Sequence, residues 1–302
     1  MRGSARNARV ARSQRLAVLT VHYRYPALLE DHLSRLARCA EPTREGLGAE
    51  LRYFAIVHPS SLPEAVAAVA KACRRHPFAA WIDLRDRPLG FRPTSGRVHG
   101  WSLARAFEQL TAAATLAPGD LVALLDHDAH PLATGLFAAL GEKLRRESLA
   151  GIGIPQWQRR RWFLHPSLLL TSVETVREMG TGAAFEVKIP LAESDETWHD
   201  TAEGFTLWCR QRGRPLHPLR VTSTAFPWER WDSDNVPGGG TELTGEHGEP
   251  VRVGYLMRYG LDPQPPLVSH VCAGPLGPYH WMRFSDHRED EVFTAYLEEP
   301  LA

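Results

Sequence analysis

Two carboxylates stand two residues apart at the end of an apolar run, Leu121-Val-Ala-Leu-Leu-Asp126-His127-Asp128. If the run is a strand, alternate side chains share a face, so Asp126 and Asp128 reach one point beyond its carboxyl end. Two like charges held that close repel and need a positive partner. A divalent cation with oxygen ligands, Mg²⁺ or Mn²⁺, is the natural one, since such ions take one or two carboxylates and complete their shell with phosphate and water. The plainer alternative is a turn in which an aspartate caps the next helix.

An unalternated apolar run is the mark of a strand buried on both faces, as in parallel sheets. Gly119-Asp120 before it and Pro131 after it delimit the element. The carboxyl edge of an open α/β sheet is also where ligands usually bind. Further elements repeat the pattern. Leu16 to Val21 and Tyr53 to Val57 read as strands, with a weaker one at Ala80 to Leu84. Helices are expected over about 26–40, 63–75, 101–116 and 133–146. Strand, helix, strand in succession predicts a doubly wound sheet. The long loop from Arg85 to Gly100, rich in Gly, Pro and Arg, is of a length that more often serves function than mere connection.

Beyond Leu149 the pattern changes. Gly151 to Pro155 and Phe163 to Leu170 read as strands, Val173 to Met179 as a short helix. A helix is expected from about Asp200 to Arg212, closed by Gly213. Residues 226–250, with Gly238-Gly-Gly240, read as loop. Pro266 to Cys272 is an apolar stretch holding His270, and a last helix is expected near 286–296.

Composition narrows the function. Lysine plus arginine and aspartate plus glutamate both number 35, so the formal net charge is zero. A nucleic-acid binder usually shows a basic surplus, so none is expected as a partner. Cys39, Cys73, Cys209 and Cys272 form no CxxC pair, which argues against a zinc framework and suits buried thiols in a reducing compartment. No apolar run reaches the roughly 18 residues of a membrane span. Met1 to Arg15 carries five arginines without an apolar core behind them, so it reads as a disordered arm rather than a secretory signal. A cytoplasmic location is the expectation.

The order of parts resembles the nucleotide-sugar glycosyltransferases of the GT-A fold, most closely the inverting family 2 type. The resemblance rests on Gly100-Trp-Ser-Leu-Ala-Arg-Ala-Phe, on Gly119-Asp120 through Asp126-His-Asp128, and on His199-Asp200 before a helix. It covers roughly residues 16–215. It implies a Rossmann-like, mostly parallel mixed sheet flanked by helices, with a C-terminal acceptor-side region. Residues 16–148 would be the nucleotide-sugar-binding half and 149–302 the acceptor-binding half and C-terminal extension.

By that resemblance Val21 and His22 lie near the base and ribose of the donor, as does His58, where the family usually has an acidic residue. Arg97 and His99 face the diphosphate. Asp126 approaches the ribose or metal, Asp128 holds Mn²⁺ or Mg²⁺, and His270 completes the metal site. Asp200 is the general base, with Asp195 and Glu196 as rivals and His199 replacing the family's glutamate. The expected activity is inverting transfer of a sugar from a nucleoside diphosphate sugar to an acceptor hydroxyl. Two alternatives stand beside it: a carbohydrate- or nucleotide-binding protein without turnover, and a sugar nucleotidylyltransferase, though Tyr23-Arg24-Tyr25-Pro26 lacks that class's glycines. His165 reads as a core or acceptor-side histidine. Trp157, Trp162, Trp198, Trp228 and Trp231 are candidates for stacking on sugar rings.

Overall fold

A computed structural model describes residues 12–22, 26–59, 61–90, 95–158, 161–187, 201–227, 242–244, 250–252, 254–261, 265–271 and 289–302. The elements run in chain order as β1 (Gln14–His22), α1 (Pro26–Leu47), β2 (Ala49–Val57), α2 (Pro63–Arg74), β3 (Ala79–Asp83) and α3 (Ser95–Ala112). Then come β4 (Leu121–Leu124), β5 (Ala129–Pro131), α4 (Leu136–Arg146), β6 (Gly151–Gln158), β7 (Arg161–Ser172), α5 (Val173–Met179) and α6 (Thr181–Phe185). The remainder is α7 (Glu203–Gln211), β8 (Leu216–Pro218), β9 (Arg220–Pro227), β10 (Glu242–Thr244), β11 (Pro250–Arg252), β12 (Gly254–Gly260), β13 (Val268–Val271) and α8 (Glu289–Glu298).

Seven strands form the central sheet in the order β3-β2-β1-β4-β7-β6-β8. The pairs from β3 to β4 are parallel, as is β6 with β8, whereas β7 runs antiparallel to both β4 and β6. The parallel half is what the apolar runs predicted, and the mixed, mainly parallel whole is what the family resemblance implied. The runs lack alternation because each strand feeds two cores. Leu16, Val18, Leu121, Ala123 and Leu125 join the layer under α1, α2 and α4. Ala17, Leu19, Val122 and Leu124 join the layer under α3, α5 and α7. Side chains of period two, each burying against a helical layer, leave no polar face.

Several boundaries differ from the sequence reading. β1 starts at Gln14, and Arg12 and Arg15 bond Thr115 and Asp120, so this end of the expected arm is tied into the fold. α1 runs past Ala40 and through Pro42, where the Thr43 hydroxyl bonds the Cys39 carbonyl at 2.7 Å. α3 begins at Ser95, so Arg97, His99 and Gly100 sit on a helix rather than in a loop.

A four-stranded sheet, β5-β13-β12-β9, was not expected as such. Its strands are short or interrupted by Gly and Pro, so they carried little period-two signal. It is held from outside by a buried polar cluster: His130 lies between Asp31 (2.8 Å) and Glu299 (3.2 Å) and stacks on the Tyr296 ring at 3.8 Å. Arg35 donates to the carbonyls of Pro131 and Glu299.

Gly100 is a packing requirement. A Cβ there would lie 2.3 Å from the backbone oxygen of Phe185 and 3.1 Å from Glu186 Cα. Helix propensity alone favours Gly100→Ala by about 1 kcal/mol. Backbone cannot yield as a side-chain tip does, so overpacking costing about 1–3 kcal/mol should win. Urea titration of Gly100→Ala is expected to show a net loss, and a gain would disprove this reading of the α3–α6 contact.

Candidate functional site

β4 stops at Leu124, and the carboxylates follow it in a turn rather than on the strand. The amide of Leu125 still bonds Leu19 O at 3.1 Å, and that of Ala129 closes the turn on Asp126 O at 3.1 Å. The chain then enters β5 of the smaller sheet. Asp126-His127-Asp128 is therefore the point where the chain changes sheets, at the carboxyl edge of β1 and β4. β13 pairs with β5 so that His270 faces Ala129, and the amide of Val271 bonds Asp128 O at 2.9 Å. Strands 140 residues apart in sequence thus meet at the turn.

The side chains converge there. His99 Nε2, from α3, is 3.2 Å from Asp126 Oδ1. The other nitrogen of His99 is 3.2 Å from the hydroxyl of Thr201, the residue after Asp200 in sequence. His165 and Ser167 come from β7, the strand antiparallel to β4. Ser167 Oγ is a hub: it lies 2.6 Å from His165 Nδ1, 2.9 Å from His270 Nε2 and 3.3 Å from Asp126 Oδ2. His165 Nδ1 is 4.0 Å from Asp126 Oδ2, and His270 Nε2 is 3.9 Å from Asp128 Oδ1.

The two aspartates differ electrically. Burial pushes the Asp126 carboxyl up, but His99, His165 and His127 outweigh it and hold the group ionised, below the usual carboxylate range. Asp128 is pushed up to about 7 by burial and by the negative charge of Asp126. Burial also lowers His270, to about 3, with His165 adding to the effect. Neighbouring carboxylates with separated affinities for the proton are a trait common at functional sites, and the next helix, α4, is capped by Gly135 rather than by either aspartate.

Asp128 Oδ1 is buried and has no hydrogen-bond partner. An orphaned carboxylate oxygen of this kind costs several kcal/mol unless something cationic meets it. That observation fits a cation. Among the described residues, no group of three or more His, Cys, Asp or Glu side chains is arranged as a ready metal site. Both oxygens of Asp126 have protein partners, in His99 and Ser167. What fits is thus an open site on Asp128 with His270 beside it, leaving most of the coordination shell to ligand and water.

The remaining expected residues are placed as follows. Val21 is buried in the apolar layer beneath the edge. His22 ends β1, with its ring 6.2 Å from that of His127. His58 follows β2, and its amide bonds His22 O at 3.2 Å. Arg97 lies half-buried on α3. Asp200, Asp195, Glu196 and His199 fall outside the described residues, as do Trp198, Trp228 and Trp231. Sequence reasoning missed Ser167 altogether and read His165 as a core or acceptor-side histidine rather than as a neighbour of Asp126. Only pairing β7 beside β4 brings them near Asp126, and no local signal encodes that.

No protein-family model matches the sequence, and no curated protein does. Among solved structures, the chain is similar to a mannosyltransferase from Pyrobaculum calidifontis in complex with GDP-Man and Mn²⁺, at 14% identity and TM-score 0.48 over 69% of this chain. It is also similar to a 4-diphosphocytidyl-2C-methyl-D-erythritol synthase (12%, TM-score 0.43, 75% of this chain and 93% of that one). A third is mouse xyloside xylosyltransferase 1 in its apo form (15%, TM-score 0.41, 68% of this chain and 85% of that one). The chain spans 55% of the length of the mannosyltransferase. Among the described residues, no helix is long and apolar enough to cross a membrane.

Proposed function

We propose that the protein is a metal-dependent GT-A glycosyltransferase that moves a sugar from a nucleoside diphosphate sugar to an acceptor hydroxyl, with inversion. The observation that carries this is the unpartnered, buried oxygen of Asp128, set with Asp126 and His270 at the carboxyl edge of a mainly parallel sheet. Asp128 and His270 would hold Mn²⁺ or Mg²⁺, which supplies Lewis-acid stabilisation of a diphosphate leaving group. Arg97 and His99, on the first turns of α3, would face the phosphates, with His99 held between Asp126 and Thr201. His22 ends β1 and His58 follows β2, its parallel neighbour, and both would flank the nucleoside.

Transfer also needs a carboxylate to take the acceptor's proton. Asp200 is the residue we assign, with Asp195 and Glu196 as rivals. Its neighbour Thr201 is bonded to His99, and Ala202 after it holds a left-handed backbone, φ 63°. Non-glycine residues in that conformation are costly and cluster at functional sites.

A thermal-shift panel tests the reading. UDP-, GDP- and dTDP-sugars, each with and without Mn²⁺, are compared with free sugars. A ligand at about 100 times its Kd should stabilise by about 2.7 kcal/mol, and only with metal. Stabilisation by free sugar, indifferent to metal, would point instead to a carbohydrate-binding protein. Release of pyrophosphate from a nucleoside triphosphate and a sugar phosphate would point to a nucleotidylyltransferase.

A further inference from the structure

Beneath the carboxylate turn, three buried polar side chains form one hydrogen-bonded line. His22 Nε2 is 2.6 Å from the Tyr53 hydroxyl, which is 3.4 Å from His32 Nδ1. His32 Nε2 is 2.6 Å from the carbonyl oxygen of Ala129, the residue after Asp128. The line crosses β1, β2 and α1 and ends on the backbone of β5.

One end sets its direction. A carbonyl oxygen only accepts, so Nε2 of His32 carries a hydrogen. Burial, aided by His130, lowers His32 to about 4, so the ring is neutral and its Nδ1 is a lone pair. The Tyr53 hydroxyl also meets Thr20, but Thr20 and His22 can each supply a hydrogen of their own, whereas His32 Nδ1 can only accept, so Tyr53 donates to Nδ1. Its oxygen then accepts from His22 Nε2–H. Burial, with His32 and His127 nearby, keeps His22 neutral as well. Its Nδ1 is thus unprotonated. The reverse order would set two lone pairs against each other between His32 Nε2 and Ala129 O.

We infer that Tyr53 and His32 are positioning residues that fix His22 as the Nε2–H tautomer, so that its Nδ1 accepts a hydrogen bond from an N–H or O–H of the bound nucleoside. The proposal deepens the donor-binding reading and rests on it. A nucleoside offers such a donor from its ribose hydroxyls or from its base. Either way His22 selects for a hydrogen-bond donor at that point and against a bare acceptor.

The test reads the tautomers directly. Imidazole ¹⁵N spectra of wild type and Tyr53→Phe are recorded at pH 7.5. Both proteins are then titrated with UDP, GDP and their 2′-deoxy forms in the presence of Mn²⁺. In wild type both His22 and His32 should be Nε2–H. In Tyr53→Phe, His32 should stay Nε2–H, because Ala129 still accepts, while His22 becomes a mixture. Loss of one ligand hydrogen bond should weaken the preferred nucleotide about tenfold. A selective structural loss would not leave His32 fixed while releasing His22. Sensitivity to the 2′-deoxy change assigns the contact to ribose, and a base preference without it assigns the contact to the base; both support the proposal.

Nδ1–H or a charged ring at His22 in wild type would overturn it, with no variant needed. So would a Tyr53→Phe protein with unchanged tautomers and affinity. If wild type binds none of the nucleotides, the donor-binding reading fails and the ligand contact with it. The spectra then judge the chain of hydrogen bonds by themselves.

Discussion

Asp128→Asn is expected to abolish metal-dependent nucleotide binding and, at the same time, to raise the melting temperature of the metal-free protein. Asparagine keeps the shape of the side chain and removes its charge. In the metal-free protein burial and the repulsion of Asp126 outweigh the partial compensation from His165 and His99, and Asp128 Oδ1 is buried without a hydrogen bond. Removing the charge should stabilise by about 1–3 kcal/mol at pH 8, where Asp128 is ionised. For a chain of this size that is a Tm rise of about 2–4 °C per kcal/mol. Loss of the ligand should weaken Mn²⁺-dependent nucleotide affinity by at least about 100-fold. Opposite signs in two measurements distinguish a functional carboxylate from a structural one. A destabilised variant that still binds nucleotide with metal would sink the assignment.

The second large effect is acid destabilisation. His22, His32 and His270 are all buried neutral, with His32 lowered to about 4, His270 to about 3 and His22 well below 6.5. A group whose proton affinity is lower in the folded state binds protons first in the unfolded chain. Stability is therefore complete above about pH 6.5 and drains away as pH falls toward the folded values. Each imidazole contributes about 1.4 kcal/mol per pH unit across that window. Asp128 works in the other direction. Its folded affinity is raised, so it costs stability as pH climbs from 3.8 toward about 7. Three imidazoles against one carboxylate leave a net loss on the order of 5 kcal/mol between pH 6.5 and 4. Urea unfolding at half-unit pH steps measures it. A flat profile would show that these rings are not buried as neutral bases, and His32→Gln should flatten the slope by about one proton.

The parts legible in the sequence were those with local causes. The runs at Leu16, Tyr53 and Leu121 are apolar throughout because both faces are covered, and nothing distant is needed to see that. The aspartates at the strand's end were visible for the same reason. What the sequence hid was their setting. Expecting Asp126 and Asp128 on a strand puts both side chains on one face, whereas the turn into β5 separates their surroundings: Asp126 is bonded by His99 and Ser167, while Asp128 Oδ1 has no hydrogen bond. β5 is three residues ending in Pro131, too short to show a period. Ser167 lies within a strand that reads as core and His165 reads as core or acceptor-side, and only the β4–β7 pairing brings both to Asp126. The sequence pattern starts α3 near Trp101 rather than Ser95, because Gly100, which breaks a helical pattern, is required by the closeness of Phe185.

The change of sheet at Asp126-His127-Asp128 has a consequence for biosynthesis. The aspartates leave the ribosome early, among strands that can already pair with one another. His270 emerges some 140 residues later, and β13, which flanks the turn, emerges with it. Throughout that interval the turn lacks its pairing with β13 and the His270 side chain beside Asp128. The turn therefore gains its full set of contacts only when β13 docks on β5, after the parallel strands of the main sheet have been made.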